Sequence, residues 1–311
     1  LVTCQIYGKL KKSKKADDQW KAVSIDDLRH RFAGMLRVAY VEEPSESDRN
    51  FYSVLLGVDP ASGSETVLYK VRLPGNPIIG EGKPENQNHA IIFTRGEHLQ
   101  TLDMNQDNYM GESYKMRNLL EYFYGKVRIV GSREHIFSES GGAVANFAAS
   151  NEFVFGTIVQ RFMTWPLCVR FHYGHPDVWD KTWALSNGGV SKASRGINLS
   201  EDIYAGFNHL LRGGTIPYVE YMQVGKGRDD GNQQIYKIEA KLAAGNAAQC
   251  MSRDVHSIAN RLDFTRLLSF YYSGTGFYFN NAVTVFAMFF FLYLQLFSHI
   301  LQLDDHVPNP D

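Results

Sequence analysis

The chain has 311 residues, of which 44% are hydrophobic and 21% charged, with Lys+Arg 32 against Asp+Glu 33. That length fits about two domains or one large one, and the composition excludes intrinsic disorder, collagen and coiled coil. A net charge of -1 gives no global pull toward nucleic acid, so any cationic site must be local, and three cysteines (Cys4, Cys168, Cys250) are too few for a disulfide framework.

In chain order, Leu1 to Tyr7 is an apolar run that reads as a strand. Lys9, Lys11, Lys12, Lys14, Lys15 and Lys21 follow, a solvated loop first and a membrane-surface contact second. Phe51–Leu56 and Thr66–Leu73 flank a Pro60/Gly63 turn, which predicts a hairpin. A polar loop over 80–89 leads into an expected strand, Ala90–Phe93, and a second strand ends at Asp103. Met116, Leu119, Leu120 and Phe123 have helical spacing and Gly125 closes that helix. Residues 138–150 are small and read as a loop or the start of a mobile segment, and Leu167–Phe171 as a strand. Ser200 caps an expected helix with Ile203, Phe207, Leu210 and Leu211 inward, closed by Gly213 and Gly214, and Ile216–Met222 is a strand. Alternating strands and helices predict an α/β fold with a mixed sheet.

The end of the chain reads differently. Ala282 to Leu301 holds 16 apolar residues of 20 and no formal charge, about the length that crosses a hydrocarbon core of roughly 30 Å. A buried core helix is the alternative. Arg253, Arg261 and Arg266 precede this stretch, and Asp304 and Asp305 follow it. By the positive-inside tendency the expected layout is 1–265 as a cytosolic domain, 266–279 as an interfacial segment and 280–303 as a transmembrane helix, with residues up to about 270 cytoplasmic. No initiator Met or signal peptide opens the sequence, so it is expected to be a piece of a larger protein.

Five polar stretches could carry chemistry. Asp103-Met104-Asn105-Gln106-Asp107 places an acid after a strand, where an open sheet presents its ligand site, though turn chemistry accounts for the same cluster. Gly188-Gly189-Val190-Ser191-Lys192 offers close backbone approach and a point charge for a phosphate. Glu201 and Asp202 at a helix start are either a general base or acids favoured by the helix dipole. Gln223 to Asp230 is a Gly-rich loop with Lys226 and Arg228, suited to a diphosphate and equally to an exposed loop. His172 and His175 invite a metal, but the Gly174 and Pro176 beside them favour a rigid turn. The loop over 80–89 adds Lys83, Asn86, Gln87, Asn88 and His89 as donors and acceptors.

Gly82-Lys83-Pro84-Glu85-Asn86-Gln87-Asn88-His89-Ala90, Asp103-Met104-Asn105-Gln106-Asp107-Asn108-Tyr109, Arg133-Glu134-His135-Ile136-Phe137, His172 to Asp177, Gly188 to Ala193, Ser200 to Gly206 and Gln223 to Asp229 together resemble the 1,3-β-glucan synthases, in wording closest to the plant callose type. The resemblance runs from about Thr3 to about Leu301. It implies a multi-pass plasma-membrane enzyme whose cytosolic domain has an A-type glycosyltransferase fold, a Rossmann-like mixed sheet with helices, followed by a transmembrane helix. It implies UDP-glucose as donor, a growing 1,3-β-glucan as product, the lipid bilayer as surroundings and a Rho-type GTPase as regulatory subunit. It places Lys83, Asn86, Asp103, Lys192, Gln223, Lys226 and Arg228 at the donor, and Asp202, with Glu201 second, as the base. A divalent cation, Mg or Ca, is admitted at Asp103 and not required by the sequence. Gly111, Asn187 and Ala248 depart from the family pattern, which here carries an acid, Arg and an acid. The rival readings are an inactive scaffold or regulatory subunit that still binds UDP, and a glycoside hydrolase, which needs two carboxylates flanking the bond and no diphosphate site.

Overall fold

The structure is a computed structural model, and it describes residues 1–45, 48–138, 142–168, 176–192, 201–227 and 231–301. The N-terminal part holds β1 (Val2–Thr3), α1 (Tyr7–Lys12), α2 (Ala16–Arg31), β2 (Val38–Glu42), β3 (Phe51–Val58) and β4 (Glu65–Leu73). They form a four-stranded sheet in the order β1-β2-β3-β4, in which only β1 and β2 run parallel. β3 is buried from Ser53 to Val58, which is why its sequence is a continuous apolar run rather than an alternation. One face of β2 and β3 packs Val38, Val54 and Leu56 against Tyr7, Leu10 and Ala22 of the two helices. The other face packs Ala39 and Leu55 against Ala90 and Phe93.

The second part holds α3 (Lys83–Asn88), a 3₁₀ turn (Ile91–Phe93), β5 (His98–Gln100), β6 (Gln106–Asp107), α4 (Met110–Leu119) and β7 (Ile129–Phe137). There follow α5 (Ala143–Phe153), which continues through a π-helical stretch into α6 (Gln160–Thr164), then β8 (Val178–Asp180), α7 (Lys181–Ser186), α8 (Glu201–Leu211) and β9 (Tyr218–Gly227). The five strands are ordered β5-β8-β7-β9-β6, and only β7 and β9 are parallel. This is a mixed α/β architecture. Trp179 is buried at its centre with Ile91, Leu99, Ile129, Ala184, Val190 and Ala205.

Several sequence expectations are corrected. The 80–89 stretch is not a loop throughout: Pro84 sits in the first turn of α3, and Glu85 accepts the Gly82 N–H at 2.8 Å and the Gly80 N–H at 3.2 Å, a reciprocal use of helix-start donors. The expected strand Ala90–Phe93 is not one: Ile91–Phe93 forms a 3₁₀ turn capped by Ala90, and a short apolar run carries no periodicity to separate the two. The strand expected to end at Asp103 stops at Gln100. The basic run spans α1, the connection at Lys14 and Lys15, and α2, with Lys9 paired to Glu43 and Lys11 to Glu65, both at 2.7 Å, and Lys21 to Asp17. Residues 143–150 are helical, and Leu167 and Cys168 lie in no strand. The remainder of that expected strand, His172, Tyr173, Gly174, His175, Ser200, Asp304 and Asp305 lie outside the described residues.

The C-terminal part is helical: α9 (Asn232–Cys250), α10 (Arg253–Ala259), α11 (Phe264–Tyr272) and α12 (Thr275–Ile300). α12 has 26 residues and so is about 39 Å long. It is the one helix among the described residues long and apolar enough to cross a membrane, and its most apolar window is not buried against the chain.

Candidate active site

Four separate segments bring charged side chains to one place. Lys83 opens α3, and its Nζ lies 2.8 Å from Asp103 Oδ1 and 3.6 Å from Glu201 Oε1. Asp103 lies in the turn between β5 and β6, where Gln106 Oε1 accepts its backbone N–H at 2.7 Å. The Gln106 side-chain amide donates in turn to Glu134 Oε1 at 2.6 Å, so one glutamine ties the turn to the middle of β7. Lys226, near the end of β9 and opposite Gln106 in register, lies 3.2 Å from Glu134 Oε1 and 3.5 Å from Asp103 Oδ2. Cation and carboxylate thus alternate along Glu201, Lys83, Asp103, Lys226 and Glu134.

The burial of this chain sets its electrostatics. Glu134 and Glu201 are 1% and 2% exposed, and buried charges persist only when paired. Burial pulls the Lys83 ammonium down, but the Asp202, Asp103 and Glu201 charges outweigh it and hold its pKa above the ordinary lysine value. Burial, and then the neighbouring Asp202 charge, push the Glu201 carboxyl up to about 7, with Lys83 opposing both. Asp202 is half-buried and accepts the Ile203 N–H at 2.8 Å.

A raised carboxyl pKa has a sign for stability. The folded protein holds a proton that the unfolded chain has already released, so stability is greatest below the ordinary glutamate value of about 4.3 and falls as pH rises toward about 7. Glu201→Gln is therefore expected to flatten the decline in melting temperature between about pH 5 and about pH 8. Parallel wild-type and variant melting curves across that window would show that Glu201 titrates normally.

The other expected residues are placed as follows. Lys192 donates its backbone N–H to the Glu201 carbonyl at 2.9 Å, but its ammonium pairs with Asp254 of α10 and lies 5.0 Å from the centre of the Tyr204 ring. It also lines a cavity of about 180 Å³ with Asn187, Gly188, Gly189 and Asn208. Asn86 faces away from the charged cluster: its Oδ1 accepts the Gln5 N–H at 2.8 Å, and its amide donates to the Thr3 carbonyl and hydroxyl. Gln223 sits opposite Arg133, three residues from Lys226 and so on the other face of β9, and its backbone N–H donates to Glu112 at 3.0 Å. Arg228 lies outside the described residues.

Three residues outside the expected donor and base set belong to the arrangement. Glu134 and Gln106 anchor Lys226 and the Asp103 turn. Asn88 accepts the Val190 and Ser191 N–H groups at 3.1 and 3.3 Å and donates to the Ser191 carbonyl at 2.6 Å. Gly189 has φ +93°, and a Cβ there would lie 2.1 Å from Asn88 Oδ1, so this glycine is required by Asn88. A glutamate in a strand that is otherwise buried was the available signal for Glu134.

Asp103 does not fit a cation site, because each of its carboxylate oxygens faces an ammonium, Lys83 on one side and Lys226 on the other. Among the described residues no group of three or more His, Cys, Asp or Glu stands at metal-binding distances.

The family model for the 1,3-beta-glucan synthase component matches residues 1–307. The chain belongs to that family. It is 50% identical to callose synthase 7 of Arabidopsis thaliana over 99% of this chain, 49% identical to callose synthase 10 over 96%, and 50% identical to callose synthase 3 over 96%. In each case it spans 16% of the relative's length. A solved mycobacterial protein superposes with a TM-score of 0.33 at 17% identity, over 61% of this chain and 54% of that one, a score that assigns no fold.

Proposed function

We propose that this chain carries the donor site and general base of a glycosyltransferase that extends 1,3-β-D-glucan, callose, from UDP-glucose. The observation that supports it is the meeting of Lys83, Asp103 and Lys226 with Glu201 at the start of α8, whose next residue is Asp202. Two ammoniums now shared with Asp103 can transfer to a diphosphate, and a pair of adjacent acids stands beside them.

The chemistry follows from the stereochemistry of the two ends. UDP-glucose is α-linked and the polymer β-linked, so one in-line displacement inverts the anomeric carbon. Asp202 takes the proton from the attacking 3-hydroxyl as the C–O bond to UDP breaks. Negative charge grows on the leaving diphosphate, and Lys83 and Lys226, with Lys192 and Arg228 at the flanks, stabilise it. The same reading takes the fold as an A-type glycosyltransferase. Its support is that β7 and β9 are parallel and that Lys226 lies at the carboxyl end of β9, where such sheets bind ligands.

Membrane placement is part of the proposal. α12 crosses the bilayer, α11 lies at its surface with Phe264, Leu267, Leu268 and Tyr271 exposed, and residues up to about 270 are cytoplasmic. Cysteine labelling is expected to reach the two flanks of α12 from opposite sides; both flanks on one side would reject the topology.

The function is tested by labelled glucose incorporation from UDP-glucose by the membrane-bound protein that carries this chain, with linkage analysis of the product. A 1,3-β-linked polymer is expected. A second reading, a subunit that binds UDP without turnover, draws on Asn187. Its side chain lines the Lys192 cavity, at a position where the resemblance leads one to expect Arg, and donates to the Trp183 carbonyl of α7. UDP binding without incorporation would favour that reading.

A further inference from the structure

A second cavity, of about 480 Å³, lies away from the cluster above, between β4 and the 3₁₀ turn. Its walls include Tyr69, Val71 and Phe93, and two guanidinium groups, Arg37 and Arg95, line it. The Tyr69 and Phe93 rings stack at 6.5 Å and 21°. A volume in this range suits a small organic ligand.

Three other cations around the four-stranded sheet are paired. There Lys70 pairs with Glu42 at 2.5 Å, Lys11 with Glu65 at 2.7 Å, and the buried Arg29 with Asp26 and Glu65 at 2.5 Å. Among the described residues neither Arg37 nor Arg95 has an ion-pair partner; Arg37 donates only to the Phe93 carbonyl, at 3.4 Å. Burial, and then the Arg95 charge, lower the Arg37 pKa, the cost first of desolvating a cation and then of a like charge nearby. Backbone geometry also serves the cavity. The β3–β4 register shifts at Leu55/Leu56, leaving Leu68 as the extra residue of a bulge, and Leu68 lines the cavity. Bulges re-aim side chains and are enriched beside sites.

We propose that Arg37 and Arg95, with the Tyr69–Phe93 stack, form a second ligand site that binds a phosphate-bearing ligand with a flat or apolar body. Paired guanidiniums match phosphate oxygens in a planar, bidentate way, and the aromatic wall takes the body of the ligand. This site is separate from Lys83 and does not depend on the function proposed above.

Calorimetry on the full chain in detergent tests the proposal with three probes: inorganic pyrophosphate, adenosine monophosphate and inositol 1,4,5-trisphosphate. At least one is expected to bind below about 1 mM, and the Arg37→Gln/Arg95→Gln double variant to lose that binding by about tenfold or more. Preference for adenosine monophosphate identifies a nucleotide-like source, and preference for the inositol phosphate a lipid headgroup. Tyr69→Ala should weaken adenosine monophosphate and spare pyrophosphate. Arg31→Gln should leave this binding unchanged, since Arg31 is an exposed residue paired with Asp27. Equal binding by the double variant with an unchanged melting curve, or no binding by any probe to the wild type, would overturn the proposal.

Discussion

Asp202→Asn is expected to lower UDP-glucose turnover by about 10²–10⁴-fold while UDP binding stays near the wild-type level. The substitution keeps the side-chain shape and its acceptor for the Ile203 N–H, and removes only the group that can take a proton. Asp202 sits at the start of α8 beside Lys83, whose pKa it raises. A helix N-terminus and a nearby ammonium keep a carboxylate ionised, which makes it available as a base and weakens its basicity. Positioning against the acceptor must therefore supply much of the rate. Glu201 has the opposite balance: burial and Asp202 raise its pKa to about 7, a better match for a base, but it is only 2% exposed. Glu201→Gln should thus be the milder change. The reverse order would move the base to Glu201, and near wild-type turnover in both would leave the pair as a well-capped helix start.

Much of the fold was readable where one face of an element is buried. The β3–β4 hairpin and α8 follow from their apolar patterns and from Gly63 and Gly213, both at positive φ. α1 and α2 were not readable, because α2 buries little apolar surface: its two buried residues are Ala22 and Arg29. Arg29 is held by Asp26 and by Glu65, which is 36 residues away on β4, and no local pattern announces a partner so distant. α3 was hidden for a related reason. Its sequence is polar throughout, and a capping carboxylate with Pro84, rather than an apolar face, starts it.

The site shows the same division. Lys83, Asp103, Lys226 and Glu201 stand in motifs long enough to carry a family resemblance, and that resemblance, more than residue type, singled them out. Their mutual distances depend on Gln106 and Glu134, and a strand pairing decides that geometry. Asn86 and Asn88 illustrate the limit. They are two residues apart on one helix, so about 200° apart around it. Asn86 therefore fastens α3 to Thr3 and Gln5, and Asn88 fastens it to the Gly189–Ser191 loop. Spacing within a polar stretch could not say which amide faces which neighbour.

Lys83→Ala is expected to cost about 1.5–3 kcal/mol in kcat/KM for UDP-glucose, the worth of a hydrogen bond to a charged group, which is about 10–150-fold. Part of the effect is local to the free protein. Without Lys83, Asp103 keeps Lys226 at 3.5 Å, but Glu201 loses the ammonium at 3.6 Å that opposes its raised pKa. Its carboxyl should then titrate above about 7, and if the acid pair must be ionised for turnover, the loss should be deeper at about pH 6.5 than at about pH 8.5. The rest appears with the donor bound, when the diphosphate gains charge in the transition state and one of its two ammoniums is missing. Lys83→Arg separates the two contributions. A guanidinium restores the positive charge toward Glu201, so the pH profile should return, while its fork and length misplace the phosphate contact and leave part of the rate defect. Kinetics unchanged in Lys83→Ala, with normal melting, would remove Lys83 from the diphosphate and leave it as the clasp between α3 and Asp103.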